Sequence, residues 1–516
     1  MIRHIFSVGG WTLLSRLTGF IRDIVMAAVL GAGPVADAFL IAFRLPNHFR
    51  AIFAEGAFNA AFVPSYTRVM TQEGPERARL FANGILTAVV VVQLVLLGFA
   101  LAGTAQVVSL LAPGLAEDPE RFALAVTLTQ ITFPYLGLIA LVTLYGGVLN
   151  ANERFWAAAA ASILLNVAMV GTLSVAGWFP TAGHAAAWGV LISGFLQLFL
   201  LMGDAGTHGL ALRPGRPRLD PDTRRFLKAL GPAVLGSAGV QLALFADTLI
   251  ASFLPQGALA ALYYADRINQ LPIGVVGIAV GVVLLPQMSR QLAAGDENGA
   301  RHSQARAIEF TLLLTLPFMA IALTIPDLLM RALFARGAFT AEDAHAAGMT
   351  LAAYAVGLIP FVVMRAFIAP FHARSDTTTP VIATLCGAGV NIALKILLMD
   401  RLAQVGLALG TATGGWVSLL LLMWFARRQG FMAGDATLRH AAPRLIGAAL
   451  VLAGVLAGAV YLLAPVVEHL PAFRDETRLF LALMAGGLVY LVLVWRLVGT
   501  ARLRSLFGRK KAGVAE

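Results

Sequence analysis

Long apolar runs follow one another through almost the whole chain, and several of them contain arginine. Each is about twenty residues or longer, the length of helix that crosses the hydrocarbon core of a bilayer. Fourteen can be placed, from one near residues 5–30 and one near 36–66 to a final pair near 442–463 and 478–499. Such a chain folds as helices in lipid, because backbone groups without water must pair within each segment. Composition agrees: 59% of the 516 residues are hydrophobic and 13% charged, where a soluble domain carries about 25% charged. The predicted fold class is an all-α polytopic membrane protein with 14 transmembrane helices.

The basic residues fix the orientation. With the N-terminus inside, inner segments hold 25 of the 38 Lys and Arg, outer segments 6, and 7 lie within spans. Cytoplasmic loops collect positive charge, so both termini are expected in the cytoplasm. The net charge of +11 would point to nucleic acid in a soluble domain. Here the inside bias accounts for it, and no nucleic-acid partner is expected. The tail Arg509-Lys510-Lys511 reads as inside charge or as contact with anionic membrane lipids. The single cysteine, Cys386, excludes an intramolecular disulfide and a Cys-rich metal site. Arg16, Arg22 and Asp23 interrupt the first run, which is therefore read as a retained span and not a cleaved signal.

A Pro- and Arg-rich linker near 204–225 separates two similar halves. Asp23, Leu30, Gly33, Arg44 and Pro64-x-x-x-Arg68 recur as Asp247, Leu254, Gly257, Arg267 and Pro286-x-x-x-Arg290. Farther on, Pro134 answers Pro360 and Asn166 answers Asn391, at nearly the same offset. Six spans per repeat make the copies parallel, with substrate handled between the lobes, as in two-lobed transporters. The expected division is 1–210 (spans 1–6), 211–430 (spans 7–12) and 431–516 (spans 13 and 14 with the basic tail).

Five of the in-span cations are Arg16, Arg22, Arg44, Arg50 and Arg267. Facing lipid, they would together cost roughly ten kcal/mol or more. They must face a polar interior, partners or the interface. Four acids answer them: Asp23, Asp37, Glu55 and Asp266. One reading makes these pairs structural. The other takes the surplus of positive charge as the receptor of an anion, and arginine binds phosphate oxygens with a fork that lysine lacks. A cationic-drug exporter would line its cavity with acids instead. An enzyme would need catalytic carboxylates or a metal site. The outer acids, Asp475 and Glu476 among them, are scattered in short loops and read as solvated, and the nine histidines show no HExxH spacing. No enzymatic activity is expected.

Several motifs form a series. They are Ser15-Arg16-Leu17-Thr18-Gly19-Phe20-Ile21-Arg22-Asp23, Gly31-Ala32-Gly33, Ala36-Asp37-Ala38-Phe39, Phe43-Arg44-Leu45-Pro46-Asn47 and Phe53-Ala54-Glu55-Gly56-Ala57-Phe58. With Tyr263-Tyr264-Ala265-Asp266-Arg267 and Asp376-Thr377 through Pro380, this series resembles the MurJ (MviN) family of bacterial lipid II flippases across nearly the whole chain. The resemblance implies two six-helix lobes around a cationic central cavity, with helices 13 and 14 forming a groove for the lipid tail. By motif, Arg16, Arg22, Arg50 and Arg267 would bind substrate, supported by Ser15, Asp23, Asp37, Glu55 and Asp266. It implies lipid II as partner, in cell-wall synthesis and with its machinery, at the bacterial inner membrane. Another polyprenyl-pyrophosphate-linked oligosaccharide is the alternative cargo. No cofactor is expected. Coupling to Na+, H+ or the membrane potential stays open, with Asp247 and Asp376 as positions for an ion and Lys395 and Arg374 supplying positive charge nearby.

Overall fold

The computed structural model describes residues 2–52, 58–216, 220–431 and 436–498, and among them there is no strand. The helices, in order, are α1 (Ile2–Leu30), α2 (Pro34–Ile52), α3 (Phe58–Glu73), α4 (Pro75–Ala102), α5 (Thr104–Leu111), α6 (Pro119–Thr132), α7 (Pro134–Ala151), α8 (Trp156–Ser174) and α9 (Ala182–Thr207). There follow α10 (Pro221–Ala251), α11 (Ala258–Pro272), α12 (Ile278–Ala293), α13 (Glu297–Thr324), α14 (Pro326–Phe334), α15 (Ala341–Val356), α16 (Leu358–Ala373), α17 (Thr378–Arg428), α18 (Ala436–Val467) and α19 (Arg474–Val498). α17 is two helices meeting at Ala403, whose φ of 43° and ψ of −127° interrupt the helical path. With α2 and α3, α4 and α5, α6 and α7, α11 and α12, α13 and α14, and α15 and α16 each grouped as a pair and α17 counted as two, the described helices fall into the fourteen successive segments that hydropathy predicts.

The second segment extends past the predicted end at residue 66: α3 runs to Glu73, and Gly74, at φ 89°, turns the chain into α4. Nine stretches among the described residues are long and apolar enough, by length and composition, to cross a membrane. α1, α2, α10, α11 and α12 are not among them. α1, α2, α10 and α11 carry Arg16, Arg22, Asp37, Arg44, Arg50, Asp247, Asp266 and Arg267.

Helix starts follow local chemistry. Asp118, Thr181, Asp220 and Asp296 each accept a backbone N–H three residues on, and proline, which has no N–H to lose, opens α6 and α10. The helices cluster into two compact units, Met1–Ala260 with Arg336–Thr340, and Ala261–Ala335 with Ala341–Glu516. In the first, Phe58, Phe62, Phe81 and Phe226 join α3, α4 and α10 in one aromatic cluster. In the second, Leu312, Leu316, Val363, Leu422, Leu452 and Leu456 belong to one continuous apolar core.

Prolines inside spans pose a specific problem. Each removes the N–H that would bond the carbonyl four residues earlier, and in lipid that carbonyl has no water to turn to. At four of these prolines a neighbouring helix supplies the donor. Pro46 frees the Ala42 carbonyl, and the buried Thr132 hydroxyl on α6 donates to it at 3.1 Å. Pro317 frees Leu313, which accepts from Tyr490 Oη of α19 at 2.8 Å. Pro370 frees Ala366, which accepts from Gln304 Nε2 of α13 at 3.1 Å. At the α15–α16 junction Val356, four residues before Pro360, accepts from Trp416 Nε1 at 2.9 Å. These bonds show how the carbonyl that each proline frees is covered. Tyr490→Phe keeps the ring and deletes the donor. It is expected to cost about 1–3 kcal/mol, read as a lowered unfolding midpoint of the purified protein.

The linker between the halves is docked. Arg213 N–H donates to Asn83 Oδ1 and Gly215 N–H to Thr87 Oγ1, both at 2.9 Å on α4. Arg68 then meets Asp222 at 2.9 Å and Arg77 meets Asp220 at 2.6 Å, tying α3 and α4 to the start of α10. Partial burial opposes ionisation of Asp220, but bonds from Thr223 and Arg77 outweigh it and hold its carboxyl below the usual carboxylate range. A folded-state pKa below the unfolded value of about 3.9 gives stability that is present above that pH and lost as pH falls through the folded pKa. Because Arg77 is 30% exposed, screening keeps the contribution small. Unfolding midpoints measured downward from pH 5 should fall for the wild type and fall less for Asp220→Asn.

Candidate functional site

α1 places Arg22 and Asp23 in the interior of the first unit, 7% and 3% exposed. Adjacent residues on a helix do not face each other, yet a long arginine can fold back. Its Nε and Nη2 both donate to Asp23 Oδ1, at 3.1 and 2.7 Å. Nη1 donates to Asn166 Oδ1 on α8 at 3.1 Å. Asn166 in turn donates from Nδ2 to the Ser15 carbonyl at 3.1 Å and to Thr18 Oγ1 at 3.0 Å. The structure thus brings Ser15, Arg22 and Asp23 together, through an asparagine that sequence reasoning used only to align the repeat. Arg16, two turns earlier, is exposed.

Arg44 and Arg50 stand on opposite sides of Pro46 in α2. Arg44 Nη1 donates to the buried Thr248 hydroxyl of α10 at 2.8 Å, and Arg50 Nη2 to Asn47 Oδ1 at 3.2 Å. Asp37 is fully buried. Its Oδ2 accepts from Gly257 N–H at 2.8 Å and its Oδ1 from Ala260 N–H at 3.1 Å, so it caps the N-terminus of α11, where the helix dipole favours an anion. The cation that meets it is Arg121 of α6, at 3.4 Å and itself 8% exposed. Arg121 is one of the six cations that the topology puts in outer segments, and no local signal marks its pairing across 84 residues. The close fit here needs glycine. Gly257 has φ +83°, and a Cβ on it would stand 2.4 Å from the Ala32 carbonyl.

In the second unit, the Arg267 guanidinium lies 4.6 Å from the centre of the Tyr263 ring one turn earlier, and Asp266 accepts from Gln270 Nε2. A guanidinium placed over an aromatic face is attracted by the ring quadrupole. Asp247, in α10, is half-buried within the first unit. Asp376 is outside the spans, where its Oδ1 accepts from the N–H groups of Thr378 and Thr379 at 3.1 and 3.0 Å. Bonds from Thr379, and then Thr378, hold its carboxyl below the usual range. Its Oδ1 is thus engaged at the start of α17. No group of three or more His, Cys, Asp or Glu side chains placed to hold a metal occurs among the described residues. Glu55 and the tail Arg509-Lys510-Lys511 lie outside the described residues. Asp475, read as solvated, receives a two-pronged bond from Arg331 at 2.8 and 3.0 Å. Lys395 and Glu309, each 3% exposed, are further charged groups taken inside the second unit.

A family model described as "Lipid II flippase MurJ" matches residues 26–472. The chain belongs to the MurJ family. A protein of Rhizobium meliloti described as a probable lipid II flippase MurJ is 40% identical over 508 residues, covering 97% of this chain and 95% of that one. The lipid II flippase MurJ of Burkholderia cenocepacia is 33% identical over 88% of this chain and 89% of its own. A solved structure titled lipid II flippase MurJ, inward closed conformation, superposes with a TM-score of 0.77 at 24% identity, over 95% of this chain and 98% of that one. An inward-facing MATE-family multidrug transporter gives 0.66 at 14% identity, over 80% and 94%. The fold is thus shared by a MurJ protein and by a transporter described with a different cargo, so the fold alone does not name what is carried.

Proposed function

We propose that this chain flips lipid II, the lipid-linked peptidoglycan precursor, from the cytoplasmic to the periplasmic leaflet of the bacterial inner membrane by alternating access. It moves its substrate and leaves it chemically unchanged. Membership of the MurJ family supports the cargo. The observation that carries the chemistry is the buried, doubly anchored guanidinium of Arg22. A pyrophosphate brought out of water loses strong hydration, and charge-assisted bonds from a pre-set fork offset that loss. In this reading Arg16, Arg22, Arg50 and Arg267 serve the pyrophosphate oxygens. The polyprenyl tail stays in lipid against α18 and α19, whose outer surfaces expose Leu450, Tyr461, Leu488 and Leu491. Other parts of the cell-wall machinery are the natural partners, because the delivered product must be consumed outside.

The test is reconstitution into vesicles with labelled lipid II, followed by a reagent that reacts only at the outer leaflet. The expected result is protein-dependent loss of the protected inner pool. If lipid II remains protected while another polyprenyl-pyrophosphate glycan crosses, the cargo assignment is wrong and the alternative cargo is correct.

A further inference from the structure

Asn166 on α8 is 5% exposed and faces α1. The orientation of its amide is fixed by chemistry. The Ser15 carbonyl can only accept, so Nδ2 must point to it, and Oδ1 must point to Arg22. On the other side, both Nε and Nη2 of Arg22 converge on the single oxygen Asp23 Oδ1. These two bonds grip one edge of the guanidinium plane. The Asp23 carboxylate also rides on the same helix turn and moves with the arginine. The bond at Nη1 comes from a different helix, 144 residues away in sequence. It holds the opposite edge of the plane.

We propose that Asn166 is a positioning residue for Arg22: it sets the direction in which the guanidinium faces the pyrophosphate, without touching the lipid itself. Recognition by a fork depends on angle as well as charge, and a supporting shell that fixes the angle is part of the site. The inference rests on the reading of Arg22 as a pyrophosphate ligand. The plain alternative is that Asn166 only fastens α8 to α1 through its two Nδ2 bonds.

The full-length protein in nanodiscs is titrated with a polyprenyl pyrophosphate, and its unfolding midpoint is recorded alongside. Asn166→Leu keeps the volume and removes the acceptor. Affinity is expected to fall about tenfold or more, as for loss of a hydrogen bond to a charged group. In an Arg22→Ala background the same change is expected to move affinity less than twofold, since distant effects add and shared ones do not. Thr18→Val removes one fastening bond and leaves Oδ1 on Arg22, so its affinity should stay within twofold of wild type. Should Asn166→Leu fail to accumulate, Asn166→Ala carries the same expectation. Equal loss from Asn166→Leu in both backgrounds, or loss from Thr18→Val matching that from Asn166→Leu, overturns the positioning role in favour of fastening. If Arg22→Ala alone binds like wild type, the reading of Arg22 fails, and the role of Asn166 fails with it.

Discussion

Arg22→Ala is expected to abolish rescue of a strain depleted of its lipid II flippase, while the protein is still found in the membrane. The change removes two hydrogen bonds from the buried Asp23 carboxylate and one from Asn166. Breaking a buried pair from one side is costly, about 3–5 kcal/mol, so the amount of protein must be measured beside growth. Arg267→Ala is the companion. Its guanidinium rests on the Tyr263 ring, a contact worth about 0.5–2 kcal/mol, and function should be lost here too while the protein still reaches the membrane. Arg22→Lys keeps the charge and loses the fork, and growth should be only partly restored. Full growth with both alanine variants would sink the assignment of these arginines to the substrate.

The second large effect is expected at Asp37. Alanine there removes the acceptor for two backbone N–H groups at the start of α11 and leaves the buried Arg121 without its carboxylate. The expected loss is again about 3–5 kcal/mol, seen as a fall in the unfolding midpoint and in membrane yield. Asp37→Asn retains one acceptor oxygen and no charge, so its loss should lie between. A wild-type midpoint for Asp37→Ala would show that the cap is dispensable.

What the sequence makes legible follows from how rare each feature is. Charged residues in apolar runs are costly, so Arg16, Arg22, Arg44, Arg50 and Arg267 stand out without any structure, and the family motifs narrow them to Arg16, Arg22, Arg50 and Arg267. Fourteen segments were countable for the same reason. Partners were much harder to read. Asp37 is held mainly by backbone N–H groups more than 200 residues away, and backbone leaves no mark in composition. Arg121 looked like an ordinary loop cation because its pairing depends on how α6 lies against α2. Asn166 was visible only as a repeat match. An isolated asparagine in an apolar run does not say whether it bonds its own helix or a neighbour. Thr132, Gln304 and Tyr490 were silent for a related reason: the proline that needs each of them is on another helix.

Those proline contacts also bear on the order of assembly. A helix that borrows a donor is not closed when it leaves the ribosome. The Leu313 carbonyl must wait for Tyr490, 177 residues later, which at usual synthesis rates is roughly ten to thirty seconds. The Ala42 carbonyl waits 90 residues for Thr132. Ala366, by contrast, emerges after its donor Gln304 has been made. The Leu313 carbonyl of the second unit therefore stays an open polar group until α19 arrives. For that interval the unfinished unit carries a buried polar defect, and α19, the last of the described helices, is the one that withdraws it.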